Sequence, residues 1–185
     1  NTNTLKEIEN IVLKKWNRID ILIANAGDIT NPKIDDNKWF INKNFETSKK
    51  FIRFFYKHLI KTEGSIIFIS SIVALIKTKA PKGYTISKKM INKYGKELSI
   101  KLAKYNINVN VVAPGNIYFK NGNWHNKLNK DPKKIFKYIN QNVPMNKFGT
   151  INDITNLCLF LSSDESKFLT GQIIAVDGGQ SIKLN

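Results

Sequence analysis

The sequence predicts an α/β fold, a doubly wound parallel sheet, and three observations predict it. Short apolar runs that read as strands alternate with longer stretches of helical period. Those runs are apolar on both faces, as strands covered by helices on both sides must be. Each run ends in small, polar or turn-forming residues, where ligands bind in open α/β sheets. At 185 residues with 42% hydrophobic content, the chain is sized for one domain, residues 1–185.

Taken in order, Leu5, Ile8, Ile11, Val12 and Trp16 recur at helical spacing and lead into Ile19–Ala24, an apolar run short enough for a buried strand. Asn25-Ala26-Gly27 breaks the pattern, and from about Asp36 a long helix runs through Phe40, Phe45, Phe51, Ile52, Phe55 and Leu59 until Gly64 stops it. Ser65–Ser70 is the second strand, Gly83–Lys104 the second long helix, and Ile107–Val112 the third strand, ending at Pro114-Gly115. Asp131-Pro132 supplies a cap and a first-turn proline for a short helix to about Gln141. Thr150-Ile151-Asn152-Asp153 resembles a capping box opening the helix that carries Cys158, and Gln172–Val176 is the fourth strand. The stretch 116–150 is too long for an ordinary connection, and it is expected to be a substrate-binding lid.

Composition sets bounds on function. The net charge of +16 raises a nucleic-acid surface as one reading, but 28 of the 30 basic residues are lysines, only Arg18 and Arg53 are arginines, and 24 asparagines accompany them. A surface that grips phosphate is expected to use more of arginine's planar fork, so the excess reads as solvated surface and no nucleic-acid partner is expected. No apolar run approaches the roughly 20 residues of a membrane-spanning helix. The chain is therefore expected to be cytoplasmic, with no membrane partner. Cys158 lies within an apolar pattern and reads as a small buried hydrophobe. His58 and His125 have no further ligand at metal-binding spacing, so no metal site is expected.

The chemistry-bearing feature is Tyr84-Thr85-Ile86-Ser87-Lys88, where a phenol and an ammonium four residues apart share one helix face. A lysine cation beside a tyrosine favours the phenolate and makes the hydroxyl a usable proton donor and acceptor. Such a pair also arises by chance on surface helices of a lysine-rich chain, so the spacing alone assigns nothing. Ser71, thirteen residues earlier at a strand end, can bring a second hydroxyl to the same mouth, and a carbonyl could sit between the two.

The order Asn-Ala-Gly after a strand, an asparagine in the next helix, Ser-Ser after a strand, Tyr-x-x-x-Lys, Pro-Gly after a strand and a closing Thr-Gly-Gln with Val-Asp-Gly-Gly resembles the short-chain dehydrogenase/reductase family, within it the branch of 3-oxoacyl carrier-protein reductases. The resemblance runs from about Leu5 to Gly179. It implies an oxidoreductase that interconverts a carbonyl and an alcohol with NAD or NADP. Tyr84 would be the general acid/base and Lys88 the cation that lowers its pKa and holds the nicotinamide ribose, while Ser71 would polarise the carbonyl. Asn44 would hold a water of a proton relay. Asn25, Ala26 and Gly27 would pack beside the cofactor, and Pro114, Gly115 and the backbone of Ile117 would meet the nicotinamide carboxamide. Phe119 stands where many members have a threonine.

The family's glycine-rich turn between its first strand and helix is not found in these 185 residues, so the choice between NAD and NADP is not legible. The resemblance implies that three strands preceding Ile19–Ala24 are missing. Ile21–Ile23 is therefore expected to form an open sheet edge, or to be covered by a partner, with poor stability and weak dinucleotide binding. Homo-oligomerisation through the helices 36–61 and 83–104 is also expected. Two other readings stay open: a catalytically silent homologue serving as an interaction module, and the basic nucleic-acid binder.

Overall fold

A computed structural model describes residues 2–30 and 36–182. Its centre is a four-stranded, wholly parallel sheet whose strands lie in chain order: β1 (Ile21–Ala24), β2 (Ser65–Ile69), β3 (Asn108–Pro114) and β4 (Ile173–Val176). Parallel neighbours need a crossover, and each is supplied by the helical stretch between strands.

The helices are α1 (Thr2–Trp16), α2 (Asn37–Phe40), α3 (Thr47–Thr62), α4 (Lys82–Leu102), α5 (Asn123–Lys130), α6 (Pro132–Asn142) and α7 (Ile151–Leu161). Their starts follow local chemistry. Asp36 caps α2 by accepting from the Trp39 N–H at 2.9 Å, and Asp131 caps α6 through Lys134 N at 3.0 Å with Pro132 in the first turn. Thr150 and Asp153 form the expected capping box of α7, each side chain meeting the other's backbone N–H.

Two cores lie on opposite faces of the sheet. Leu22, Ala24, Ile66, Phe68, Val109 and Val111 pack on one face with Ile52, Phe55 and Leu59 of α3 and Ile91, Leu98 and Leu102 of α4. Ile67 and Val112 pack on the other face with Cys158 and Leu161 of α7. The alternation of a strand thus sends successive side chains to two separate layers, which is the doubly wound arrangement. Cys158 is buried, and the apolar surroundings push its thiol up.

β1 is the exception. Its Leu22 and Ala24 are buried under α1 and α3, but Ile21 and Ile23 point to the other face and are each 44% exposed, since α7 lies over β2 and β3 instead. Among the described residues no strand pairs with the outer side of β1, so the expected open edge beside Ile21–Ile23 is present. An apolar groove of about 530 Å³ runs between this edge and α1, with Ile8, Val12, Trp16, Ile21 and Phe51 among its walls.

Element boundaries differ from the sequence-based expectation in three instructive places. The helix expected from Asp36 onward is not uniform: α2 passes into a π-helical stretch, Ile41–Glu46, before α3 begins. Inside it the Asn44 amide donates to Phe40 O at 3.0 Å, and Thr47 Oγ1 reaches back to Asn42 O at 2.9 Å, so side chains share the carbonyls of a widened turn. α5 was not expected, because its asparagine- and lysine-rich sequence offers only Trp124 and Leu128 as apolar signal. β3 extends through Pro114, two residues beyond the expected end. No helix among the described residues is long and apolar enough to cross a membrane.

Candidate active site

The expected site residues gather at the carboxyl ends of β1, β2 and β3, and α4 brings the phenol and ammonium to them. Ser71 follows β2 in extended backbone and starts a short 3-10 turn, where its Oγ accepts from Val73 N at 3.4 Å. The Ser71 side chain also acts on Tyr84, in the first turn of α4, in the sense that lowers the pKa of its phenol. The two residues that the sequence places thirteen positions apart thus stand at the same end of the sheet.

One turn further along α4, Lys88 is buried at 4% exposure. Its Nζ donates to Ile69 O at 3.1 Å and lies 5.5 Å from the centroid of the Tyr84 ring. Desolvation lowers its pKa to about 8, because a buried ammonium loses hydration that one carbonyl does not replace. Ser70 Oγ donates to Lys88 O at 3.3 Å and ties this turn of α4 to the end of β2. Phe40 of α2 meets the Tyr84 ring edge-on, centroids 6.2 Å apart.

The sequence expectation that Lys88 lowers the pKa of Tyr84 needs correcting. Burial pushes the phenol above its ordinary value, the Ser71 side chain opposes that push, and the Asp28 carboxylate reinforces it. The physical reason is that the site encloses the phenol in apolar surroundings while the ammonium is turned to the Ile69 carbonyl.

Asn44 is fully buried, and its amide is engaged on both sides. Nδ2 donates to Asp28 O at 2.9 Å as well as to Phe40 O, and Oδ1 accepts from Asp28 N at 3.2 Å. Its visible task is to clamp the turn that follows β1. Asn25, Ala26 and Gly27 lie in that turn, exposed at the sheet's carboxyl edge. Gly27 is required by close approach: a Cβ there would strike Asn44 Oδ1 and stand 3.5 Å from Lys88 Nζ. The turn, the asparagine and the lysine thus form one packed group.

On the β3 side, Gly115 N donates to Val176 O at 2.9 Å, which fixes Pro114-Gly115 beside β4. Ile117 forms an isolated parallel bridge with Gly149, made by Tyr118 N to Gly149 O at 2.8 Å and Gly149 N to Asn116 O at 3.0 Å. Those bonds use the groups flanking Ile117 and leave its own N–H and C=O out of the bridge. The bridge also closes the base of the long 116–150 segment. Within that segment Trp124 stacks on Tyr138 at 5.4 Å and tilts against Phe148 at 5.5 Å, while Gln180 ties Tyr138 and Asn116 back to the residues after β4. The Phe119 ring lies over Gly122, where an added Cβ would meet it at 2.7 Å.

The remaining histidines sit as follows. His58 Nε2 pairs with Glu9 at 2.5 Å and joins α3 to α1, and His125 lies against the Tyr118 ring. No group of three metal-ligating side chains occurs among the described residues. Asp28 is the residue of this site that the sequence reading passed over, and its only sequence signal is a carboxylate directly after Asn-Ala-Gly.

Comparison with known proteins bears on the family. The model of the family described as enoyl-(acyl carrier protein) reductase matches residues 1–181. A 3-oxoacyl-[acyl-carrier-protein] reductase of Buchnera aphidicola is 36% identical, over 97% of this chain and 73% of that protein. A 7alpha-hydroxysteroid dehydrogenase of Paraclostridium sordellii is 31% identical, over 98% of this chain and 70% of that protein. Among solved structures, a short-chain dehydrogenase/reductase of unknown function from Caenorhabditis elegans, crystallised with cofactor, superposes with a TM-score of 0.84 at 28% identity, covering all of this chain and 73% of its own. With the fold, the order of its site residues and these relatives in agreement, the chain belongs to the short-chain dehydrogenase/reductase family of oxidoreductases.

Proposed function

We propose that this protein interconverts a carbonyl and an alcohol with NAD or NADP, using Tyr84 as general acid/base. The observation that carries the reading is the Lys88 ammonium buried beside the Tyr84 ring at the carboxyl end of the sheet, where Ser71 ends β2. A proton donor and a second hydroxyl are offered there at one end of the sheet, as carbonyl reduction requires.

The residues present fit the nicotinamide end of a dinucleotide. Lys88 keeps ammonium protons beyond the one given to Ile69 O, the Ile117 backbone groups are outside the lid bridge, and the turn Asn25-Ala26-Gly27 is open at the sheet edge. A bound dihydronicotinamide supplies the hydride that the carbonyl carbon accepts. Tyr84 gives its proton to the carbonyl oxygen, Ser71 orients that oxygen, and Lys88 holds the ribose and restores the proton to Tyr84. Asn44 keeps the turn and the lysine in register. The segment 116–150, pinned at its Ile117–Gly149 base, closes over the substrate. Cytoplasmic residence and self-association through α3 and α4 belong to the same reading, and light scattering at micromolar concentration tests the latter, with a clean monomer counting against it.

Steady-state kinetics with NADH and NADPH against a panel of small carbonyl compounds tests the reaction. Turnover lost in Tyr84→Phe supports it. No turnover with either cofactor would overturn it in favour of a silent homologue acting as an interaction module.

A further inference from the structure

Two buried amides that take no part in the proton chemistry stand between the long segment 116–150 and the residues after β4. Asn116 and Gln180 are each 8% exposed, and Asn116 Nδ2 donates to Gln180 Oε1 at 2.8 Å. The other end of the same amide, Gln180 Nε2, donates to the Tyr138 hydroxyl of α6 at 3.2 Å. Tyr138 in turn stacks on Trp124 of α5, with ring planes 21° apart. One glutamine thus joins the residue after Gly115 to both helices of the segment.

The backbone that carries this glutamine is fixed. The Asp177 carboxylate accepts from Gly179 N at 2.9 Å and from Ser181 N at 2.7 Å, on either side of Gln180, and Gln180 N donates to Asp177 O at 3.3 Å. Gly178 and Gly179 take φ of +63° and +87°, the left-handed conformation that this turn needs. Asp177 also abuts Gly115, where an added Cβ would stand 2.6 Å from the Asp177 Cβ. Buried amides cost stability unless their bonds are made, and an apolar pair would fill the same space without direction. What the amides add is a defined orientation between the parts they join.

We propose that Gln180 is a positioning residue: its two-ended amide couples the placement of α5 and α6 to that of Pro114–Ile117, the segment assigned to the nicotinamide end of the cofactor. The consequence for cofactor and substrate rests on the oxidoreductase reading, whereas the coupling itself needs no turnover. A substrate seated against α5 or α6 is then felt at the cofactor segment, and a bound dinucleotide is felt at the helices by the same factor.

The test is hydrogen exchange on the 185-residue chain without ligand, read at the Gly115 N–H, which lies outside the segment and donates to Val176 O. Tyr138→Phe removes only the hydroxyl at the far end of the chain of bonds and keeps the ring on Trp124. It should speed exchange at Gly115 by roughly three- to tenfold, the factor that one lost hydrogen bond of ordinary strength corresponds to, with the amides of β2 unchanged. Gln180→Met fills nearly the same volume, makes neither bond, and should act at least as strongly. In the double variant Gly115 should exchange no faster than in Gln180→Met, because both changes cut one chain. An unmoved Gly115 in Tyr138→Phe, effects that multiply in the double variant, or equal acceleration throughout β2 and β3 overturns the proposal and leaves Gln180 a packing residue. Steady-state kinetics read the consequence: Gln180→Met should raise KM for NADH or NADPH about fivefold or more while kcat changes less than about twofold. A KM that stays put while Gly115 exchanges faster overturns the link to the cofactor. Absence of turnover in the parent overturns the oxidoreductase reading instead, and the exchange result decides the coupling by itself.

Discussion

The turn after β1 and the middle of β1 lie within a few residues of each other, yet their surroundings are opposite. At the turn, Asn44 gives both amide protons and accepts one bond, Gly27 has no room for a methyl group, and Lys88 is buried behind it. Within the strand, Ile21 and Ile23 project from an edge that is unpaired among the described residues, and each is 44% exposed. The contrast teaches that the contacts organising the turn come from one side of β1: from Asn44, between α2 and α3, and from Lys88 of α4.

The largest expected effect is chemical. Tyr84→Phe should reduce turnover by about 10²–10⁴-fold, as loss of an acid/base group does, with an unchanged melting temperature. Residual turnover above about a tenth of the parent rate would remove Tyr84 from its assigned role. Next comes the clamp: Asn44→Ala strands the Asp28 N–H and opens the π-helical turn, which should cost about 2 kcal/mol or more in chemical denaturation. If Asn44→Ala is neutral, the turn is held by something other than the amide, and the contrast with the edge loses its basis.

A third prediction concerns pH. Burial lowers Lys88 in the folded protein to about 8 from an ordinary 10.5, so between those values the unfolded chain binds more protons and stability must rise with pH. Below about 8 the lysine is charged in both states and the full burial penalty is present. Melting of the parent relative to Lys88→Met should therefore improve from pH 7.5 towards pH 10 by on the order of 2 kcal/mol, and a flat difference would show that the ammonium is better solvated than its surroundings indicate. The smallest effect belongs to the edge: Ile21→Thr with Ile23→Thr should alter stability by only about 0.5 kcal/mol while raising the concentration at which the protein aggregates. A large loss of stability from this pair would mean that the edge is buried in solution by a partner or a second copy.

The parts of this molecule that were legible in its sequence are those written in local spacing. Strand ends, capping residues and the Tyr84–Lys88 turn each follow from residues close to one another. What was hidden depends on long-range placement. The π-helical stretch carries Asn44, whose amide meets Phe40 O and also Asp28 O, sixteen residues away. Glu9 and His58 are joined across 49 positions, and no periodicity of either helix indicates it. The upward push on Tyr84 could not be read either, since spacing shows which charge stands near the phenol but not how much apolar matter encloses both. α5 escaped because packing of Trp124 against Tyr138 and Phe148, rather than its own propensity, holds it in place.

The bridge between Ile117 and Gly149 brings both ends of the intervening segment to one point, but the two halves of that segment are not equally free. Its second half is part of the body: Ile139 and Val143 are buried, and Met145 N donates to Gly178 O at 3.1 Å. Its first half holds α5, which buries no residue. Doubling such a loop costs only about 0.6 kcal/mol in closure entropy, less than one lost methylene of the core. Insertions or deletions around α5 should therefore be tolerated by the fold, while replacements that reach Ile139 or Val143 should not.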